Sequence, residues 1–235
     1  MKKLFLLICI LSFGALNAQI SNFNEILQKN VDKSGIVDYK SIKSNETKLD
    51  DFLSYLNETS VKEEWSDNKE KAFWINVYNA YTLKIILNNY PLKSITNISV
   101  KGKTAWKTPF VKVGGKTYTL DYVEHQILRK KFNDPRIHVG VNCASGSCPK
   151  LGNIAFTETN IEKELERLMK EFINDSSRNK LTEKKLQISE IFNWFKEDFT
   201  KEGSVIDYIN KYSNLEISKK ARIKYLSYDW SLNGK

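Results

Sequence analysis

The stretch Lys71–Pro91, KAFWINVYNAYTLKIILNNYP, decides the reading of the fold. It has the length of a helix and stops where Pro91, which has no N–H to donate, forbids continuation. On a 100° wheel Trp74, Val77, Tyr78, Tyr81 and Ile85 share one side, while Phe73, Leu83, Ile86 and Leu87 fall on the others. A helix apolar nearly all round is a central, buried one. Asn76 and Asn79 stand three apart among those apolar residues, and each must find hydrogen-bond partners or cost stability. They either tie down a neighbouring loop or face and orient a reactive stretch.

On the N-terminal side, Phe23, Ile26, Leu27 and Val31 recur at helical spacing, Gly35 ends that piece, and Leu49, Phe52, Leu53 and Leu56 mark a second amphipathic helix. On the C-terminal side, Phe110–Leu120 (FVKVGGKTYTL) alternates on either side of Gly114-Gly115, which predicts a hairpin. Thr119 is placed to cap a helix over LDYVEHQILRKKF, in which Asp121, His125 and Arg129, four apart, share a face. Beyond Pro135, the alternation of Ile137, Val139 and Val141 with His138, Gly140 and Asn142 predicts a strand ending at Cys143. The small residues of Ala-Ser-Gly-Ser then predict a tight turn with free backbone amides. Thr159 and Glu162 have capping-box spacing before an amphipathic helix through Ile161, Leu165, Leu168, Met169, Phe172 and Ile173. Leu186–Ile188 predicts a short strand, Ile191 to Phe195 and Val205 to Tyr212 short helices, and Ala221–Asn233 a terminal strand. Together these predict an α+β, helix-rich single domain over residues 19–235, with a central buried helix and a small mixed sheet.

Residues 1–18 have the order of a secretory signal peptide: Lys2 and Lys3, an apolar run from Leu4 to Leu16, and Leu16-Asn17-Ala18 before Gln19. The apolar run falls short of the roughly 18 residues that a spanning helix needs, so no transmembrane segment is expected after cleavage. A periplasmic or secreted location follows. The formal charge is +9, but lysines are interspersed with Asp and Glu along the chain, so nucleic acid is not an expected partner. Anionic envelope polymers are the expected electrostatic partners.

The chain has two histidines and three cysteines. Once Cys9 leaves with the leader, every imidazole and thiol falls between His125 and Cys148. The runs Phe73–Asn79, Glu124–Arg129, Asp134–Arg136, Asn142-Cys143 through Ser147-Cys148-Pro149, and Tyr228–Asn233 resemble the family catalogued as domain of unknown function 547, over roughly Ile36 to Asn233. The resemblance implies an arrangement similar to papain-like or transglutaminase-like thiol enzymes, which is a likeness of fold and not of site.

Three chemistries compete for the cluster. Cys143 serves as a nucleophile, His125 favours its thiolate, and Asp121 or Glu124 orients the imidazole; Asn76, Asn79 and Arg129 then contact substrate. Glu124 points about 100° from His125 on a helix, so Asp121 is geometrically better, while the family motif carries the Glu-His pair. Alternatively, Cys143 and Cys148 form a disulfide that staples the turn, as suits an oxidising compartment. Zinc held by the two Cys and two His is the third reading, and the spacing matches the commoner finger patterns poorly. The preferred expectation is an exported cysteine-dependent hydrolase or acyl transferase for an amide or peptide-like envelope substrate, without metal or cofactor. The alternative is a noncatalytic binding module using Trp74, Trp106 and Trp230 as contacts, with a Cys143–Cys148 disulfide.

Overall fold

In the computed structural model, residues 19–235 are described; the expected leader, residues 1–18, lies outside them. Helix α1 covers 19–30, α2 Tyr39–Ser44, α3 Thr47–Glu58 and α4 Asp67–Asn89. Ser66 caps α4 by accepting from the Lys69 amide, and the helix is buried at nearly every position from Glu70 to Leu87. Its surroundings explain why an all-round apolar helix is stable. Helices α2 and α3 pack against it from one part of the chain, and α5 and α8, introduced below, pack from another. Phe52 of α3 stacks on Phe23 of α1 at 4.6 Å between centroids, closing the core on the N-terminal side.

Strands β1 (Ser99–Val100) and β2 (Lys103–Thr104) form one antiparallel pair. Strands β3 (Val111–Val113) and β4 (Lys116–Tyr118) form the predicted hairpin, with Gly114 and Gly115 both at positive φ as its two-residue turn requires. The turn is anchored: the Gly114 and Gly115 amides donate to Leu56 O and Asn57 O at the C-terminus of α3.

Thr119 caps α5 (Leu120–Tyr122) as predicted. The helix then widens into a π-helical segment, Val123–Leu128, and returns to α6 (Arg129–Phe132). Arg129 N–H donates to Glu124 O, five residues back, and this extra residue per turn turns Glu124 into the core.

The strand expected at Ile137–Val141 is instead one helical turn, α7 (Ile137–Gly140). The alternation that suggested a strand is real, but Asp134 accepts from the Arg136 amide and starts a turn in which Val139, Gly140 and Val141 are all buried. The amphipathic helix α8 (Ile161–Asn174) forms as predicted, without the expected capping box. Glu162 is drawn away to Lys71 and Arg136, and the entry is closed by Thr157 and Asn160, whose side chains each accept from the other's amide.

The small mixed sheet has strand order β5 (Lys180–Leu181), β6 (Lys185–Ile188), β7 (Arg222–Tyr225), with β5 antiparallel and β7 parallel to β6. Helices α9 (Ile191–Trp194), α10 (Lys196–Phe199) and α11 (Val205–Asn210) lie between β6 and β7. The expected terminal strand is confined to β7; beyond it the chain runs irregularly to Asn233 and pairs with the turn after Cys143. Gly146 N donates to Ser231 O, Ser147 N to Asp229 O, and Asn233 N to Ala144 O.

Candidate functional site

The turn that carries both thiols is fixed from four directions. Asn79 of α4 donates to Gly140 O at 2.8 Å and accepts from the Asn142 amide at 2.9 Å. Asn142 in turn donates to Pro149 O, accepts from the Ala144 amide and accepts from Asn233, whose own oxygen takes the Tyr39 hydroxyl. Arg178 donates to Cys148 O at 2.7 Å and Gly146 O at 3.3 Å. These bonds hold Ala144, the residue after Cys143, at φ +58°, a left-handed conformation that costs a non-glycine residue of order 1 kcal/mol or more. Of the amides expected to be free, those of Ala144, Gly146 and Ser147 are taken, by Asn142, Ser231 and Asp229.

Cys143 and Cys148 are both free thiols, so the disulfide of the alternative reading is not present. They are close and unequal. Cys148 Sγ accepts from the Cys143 amide at 3.1 Å, while Cys143 Sγ lies 3.1 Å from Ser145 Oγ and 3.3 Å from Tyr228 OH. Ser145 Oγ also lies 3.0 Å from Tyr228 OH, so both hydroxyls stand within reach of the sulfur. The Cys148 thiol, opposed by burial and helped by Ser145 and Tyr228, brings the Cys143 pKa down to about 7. Burial first, and then the neighbouring Cys143, push Cys148 well above the usual thiol range. The pair is thus a thiol that ionises near pH 7 beside one that stays protonated.

These sulfurs sit at the base of a cleft of about 270 Å3, whose walls include Trp106, Trp194, Phe195 and Trp230. Trp230 joins the walls, edge-on to Trp106 at 5.7 Å and stacked with Trp194 at 5.8 Å. Glu124, Asp121, His125 and His138 line the same cleft. Glu124 lies near the buried Tyr78 hydroxyl, whose pKa burial, and then the Glu124 charge, raise well above the phenol range.

The two imidazoles are held differently. His125 accepts from Arg129 at Nδ1, 3.1 Å, and its Nε2 is 3.5 Å from Asp121, so the predicted face of Asp121, His125 and Arg129 exists. Arg129 is also bonded through two nitrogens to Asp198 and lies over the Phe195 ring. His138 is buried, stacked on Phe195 at 4.0 Å, with Nε2 2.7 Å from Asp198. Burial alone would raise the Asp198 carboxyl, but His138 and Arg129 hold it below the usual range. An ionised carboxylate only accepts, so Nε2 carries the proton and Nδ1, which has no protein partner among the described residues, is the basic nitrogen. Neither imidazole bonds to Cys143 in the resting arrangement.

Asn76 lies away from the cleft: its amide donates to Phe156 O and accepts from the Phe156 amide, tying down that loop. Asn79 spends both amide atoms on the thiol turn. Trp74 is buried, donating to Glu70, while Trp106 and Trp230 reach the cleft. Among the described residues no group of three or more His, Cys, Asp or Glu is placed to hold a metal ion. Ser145, Asp198 and Tyr228 were not singled out by sequence reasoning. Tyr228 had a signal in the Tyr228–Asn233 run, whereas Asp198 sits in an ordinary charged segment beside Lys196 and Glu197.

Fold and site together define a class: an α+β protein presenting an asymmetric thiol pair at the base of an aromatic cleft. Residues 62–173 match the model of the family described as Protein of unknown function, DUF547, which supports placing this stretch in that family. The match takes in the Phe73–Asn79, Glu124–Arg129 and Asn142–Pro149 runs and leaves out Tyr228–Asn233. No curated protein and no solved structure matches the chain.

Proposed function

We propose that this is an exported cysteine-dependent hydrolase or acyl transferase acting on an amide or peptide-like envelope substrate, with Cys143 as nucleophile. One observation carries the reading: the Cys143 sulfur, held near its thiolate form by Cys148, Ser145 and Tyr228, sits at the base of an open cleft. The thiolate attacks the carbonyl carbon, forming a C–S bond and an oxyanion; collapse breaks the C–N bond, and the departing amine takes a proton from His138 in its imidazolium form, which the neutral ring regains from the incoming water or amine. Water, or a second amine, then attacks the thioester and releases Cys143. A base oriented by a carboxylate is the arrangement such chemistry uses, and His138 with Asp198 has it. His125, favoured by sequence spacing, has both nitrogens facing charged partners. The export part rests on the order of charged, apolar and small residues over 1–18.

The test is labelling by iodoacetamide. Reduced protein should be alkylated at Cys143, Cys143→Ser should lose the label and Cys148→Ser should keep it. The proton-transfer role is tested by hydrolysis of a generic thioester or amide probe, where His138→Ala should lower kcat far more than His125→Ala. Equal, slow labelling of both thiols, as in unfolded protein, would remove the nucleophile from the proposal.

A further inference from the structure

Six cations from two short segments, residues 180–185 and 220–224, gather at the mixed sheet. Leu186 and Ile188 of β6 are fully buried, so Lys185 and Gln187, which alternate with them, point outward. Register then places their partners on the same face. Lys185 pairs with Arg222, while Gln187 pairs with Lys224 on one side and Lys180 on the other. Lys184 and Lys220 flank these ranks, and Lys184, Lys185, Lys220, Arg222 and Lys224 line a surface concavity of about 780 Å3. Among the described residues, no ion pair involves any of these six; the nearby Lys219 alone reaches Asp207, at 3.6 Å and largely exposed.

Like charges directly across strands are destabilising. Lysines on the edge strands β5 and β7 have an ordinary reason to be there, since they discourage edge-to-edge pairing. Lys185 is on the central strand, beside Arg222, where that reason does not apply. We infer that this face binds a linear polyanion, a single chain with phosphate or carboxylate groups repeating every few ångströms. Neighbouring strands lie about 4.8 Å apart and same-face residues about 6.6 Å apart along a strand, so the ranks match such a repeat. The face is narrow for a duplex or a membrane plane. Its direction also matters: β6 and β7 are parallel, and just beyond their C-terminal ends stand Trp194, Tyr228 and Trp230 of the cleft.

Polyanion binding here stands independently of nucleophilic chemistry at Cys143. The probe is fluorescently labelled polyphosphate, titrated with the full chain over a range of NaCl concentrations, alongside duplex DNA and phosphatidylglycerol vesicles. We expect salt-sensitive polyphosphate binding, at least tenfold weaker in Lys185→Gln/Arg222→Gln/Lys224→Gln, with a log Kd against log salt slope shallower by about two to three. Lys29→Gln/Lys33→Gln/Lys103→Gln, which removes equal exposed charge elsewhere, should stay within about twofold by the same additive reasoning. The milder Lys184→Gln/Lys220→Gln pair should fall between, which guards against a misfolded triple variant. Equal losses in the control, no polyphosphate binding by the parent, or equal or tighter binding to DNA or vesicles would each overturn the inference. Cys143 alkylation, measured in the same samples, should be unchanged; its absence with binding retained would remove the thiol reading and leave this one standing.

Discussion

Cys143 owes its low pKa to three named neighbours, and each is removable. A thiolate reacts and a thiol does not, so the alkylation rate should rise through a midpoint near pH 7, below the roughly 8.5 of a free cysteine. Cys148→Ala removes the largest stabilising contact and should move that midpoint upward the most. Tyr228→Phe keeps the ring against Trp230 but loses the phenol proton, and should shift it upward by less. A pH profile of alkylation for the three proteins checks both, and superimposable profiles would mean that these contacts do not set the reactivity. At this scale the gathering of Cys143 with Cys148 in one turn was legible, because so few reactive side chains cluster so tightly. The setting of His138 was not: the alternation around it imitates a strand, and only the Asp134 turn and the remote Asp198 give the ring its orientation.

Among the elements, α4 acts as both core and scaffold, and its two asparagines divide the work. Asn79→Ala would leave Gly140 O and the Asn142 amide without their buried partners, at about 1–3 kcal/mol each, so a loss of roughly 2–6 kcal/mol is expected. Asn76→Ala breaks the same number of bonds and should cost a similar amount, but at the Phe156 loop. Denaturant melts should therefore give similar losses, whereas only Asn79→Ala should also slow alkylation of Cys143. Slowing in both would place the Phe156 loop in the site as well. The helix and the hairpin were readable because their signals are local, a period of hydrophobicity and a Gly-Gly turn. The π-helical widening at Val123–Leu128 and the loss of the Thr159–Glu162 cap were not, since both are settled by distant partners: Tyr78 for Glu124, and Lys71 with Arg136 for Glu162.

Over the whole molecule, charge is organised in ways that sequence order conceals: the basic face assembles from β5, β6 and β7, and an ion-pair cluster joins three separated segments. Lys71 of α4 reaches Asp134 at 2.9 Å and Glu162 of α8 at 3.0 Å, and Arg136 bonds to the same two carboxylates. Lys71 and Asp134 have side chains only 8% and 10% exposed, so this bridge is buried where it matters. Burial alone would raise the Asp134 pKa, but the Arg136 and Lys71 contacts hold it below the usual carboxylate range. A carboxyl depressed in the folded state contributes stability that is present above its unfolded pKa, near 4, and is lost as pH falls through the lower folded value. Asp134→Asn should therefore be less stable at pH 7, by about 3 kcal/mol, the low end for a broken buried pair because Lys71 keeps Glu162. The gap should begin to narrow as pH falls below about 4, where Asp134 of the unfolded chain takes up a proton, and close as the folded carboxyl becomes neutral at its lower value. Asp198 titrates in both proteins and cancels from the difference. Urea midpoints of parent and variant across that range measure the gap directly, and one that stays constant with pH would show that Lys71 does not depend on the Asp134 charge.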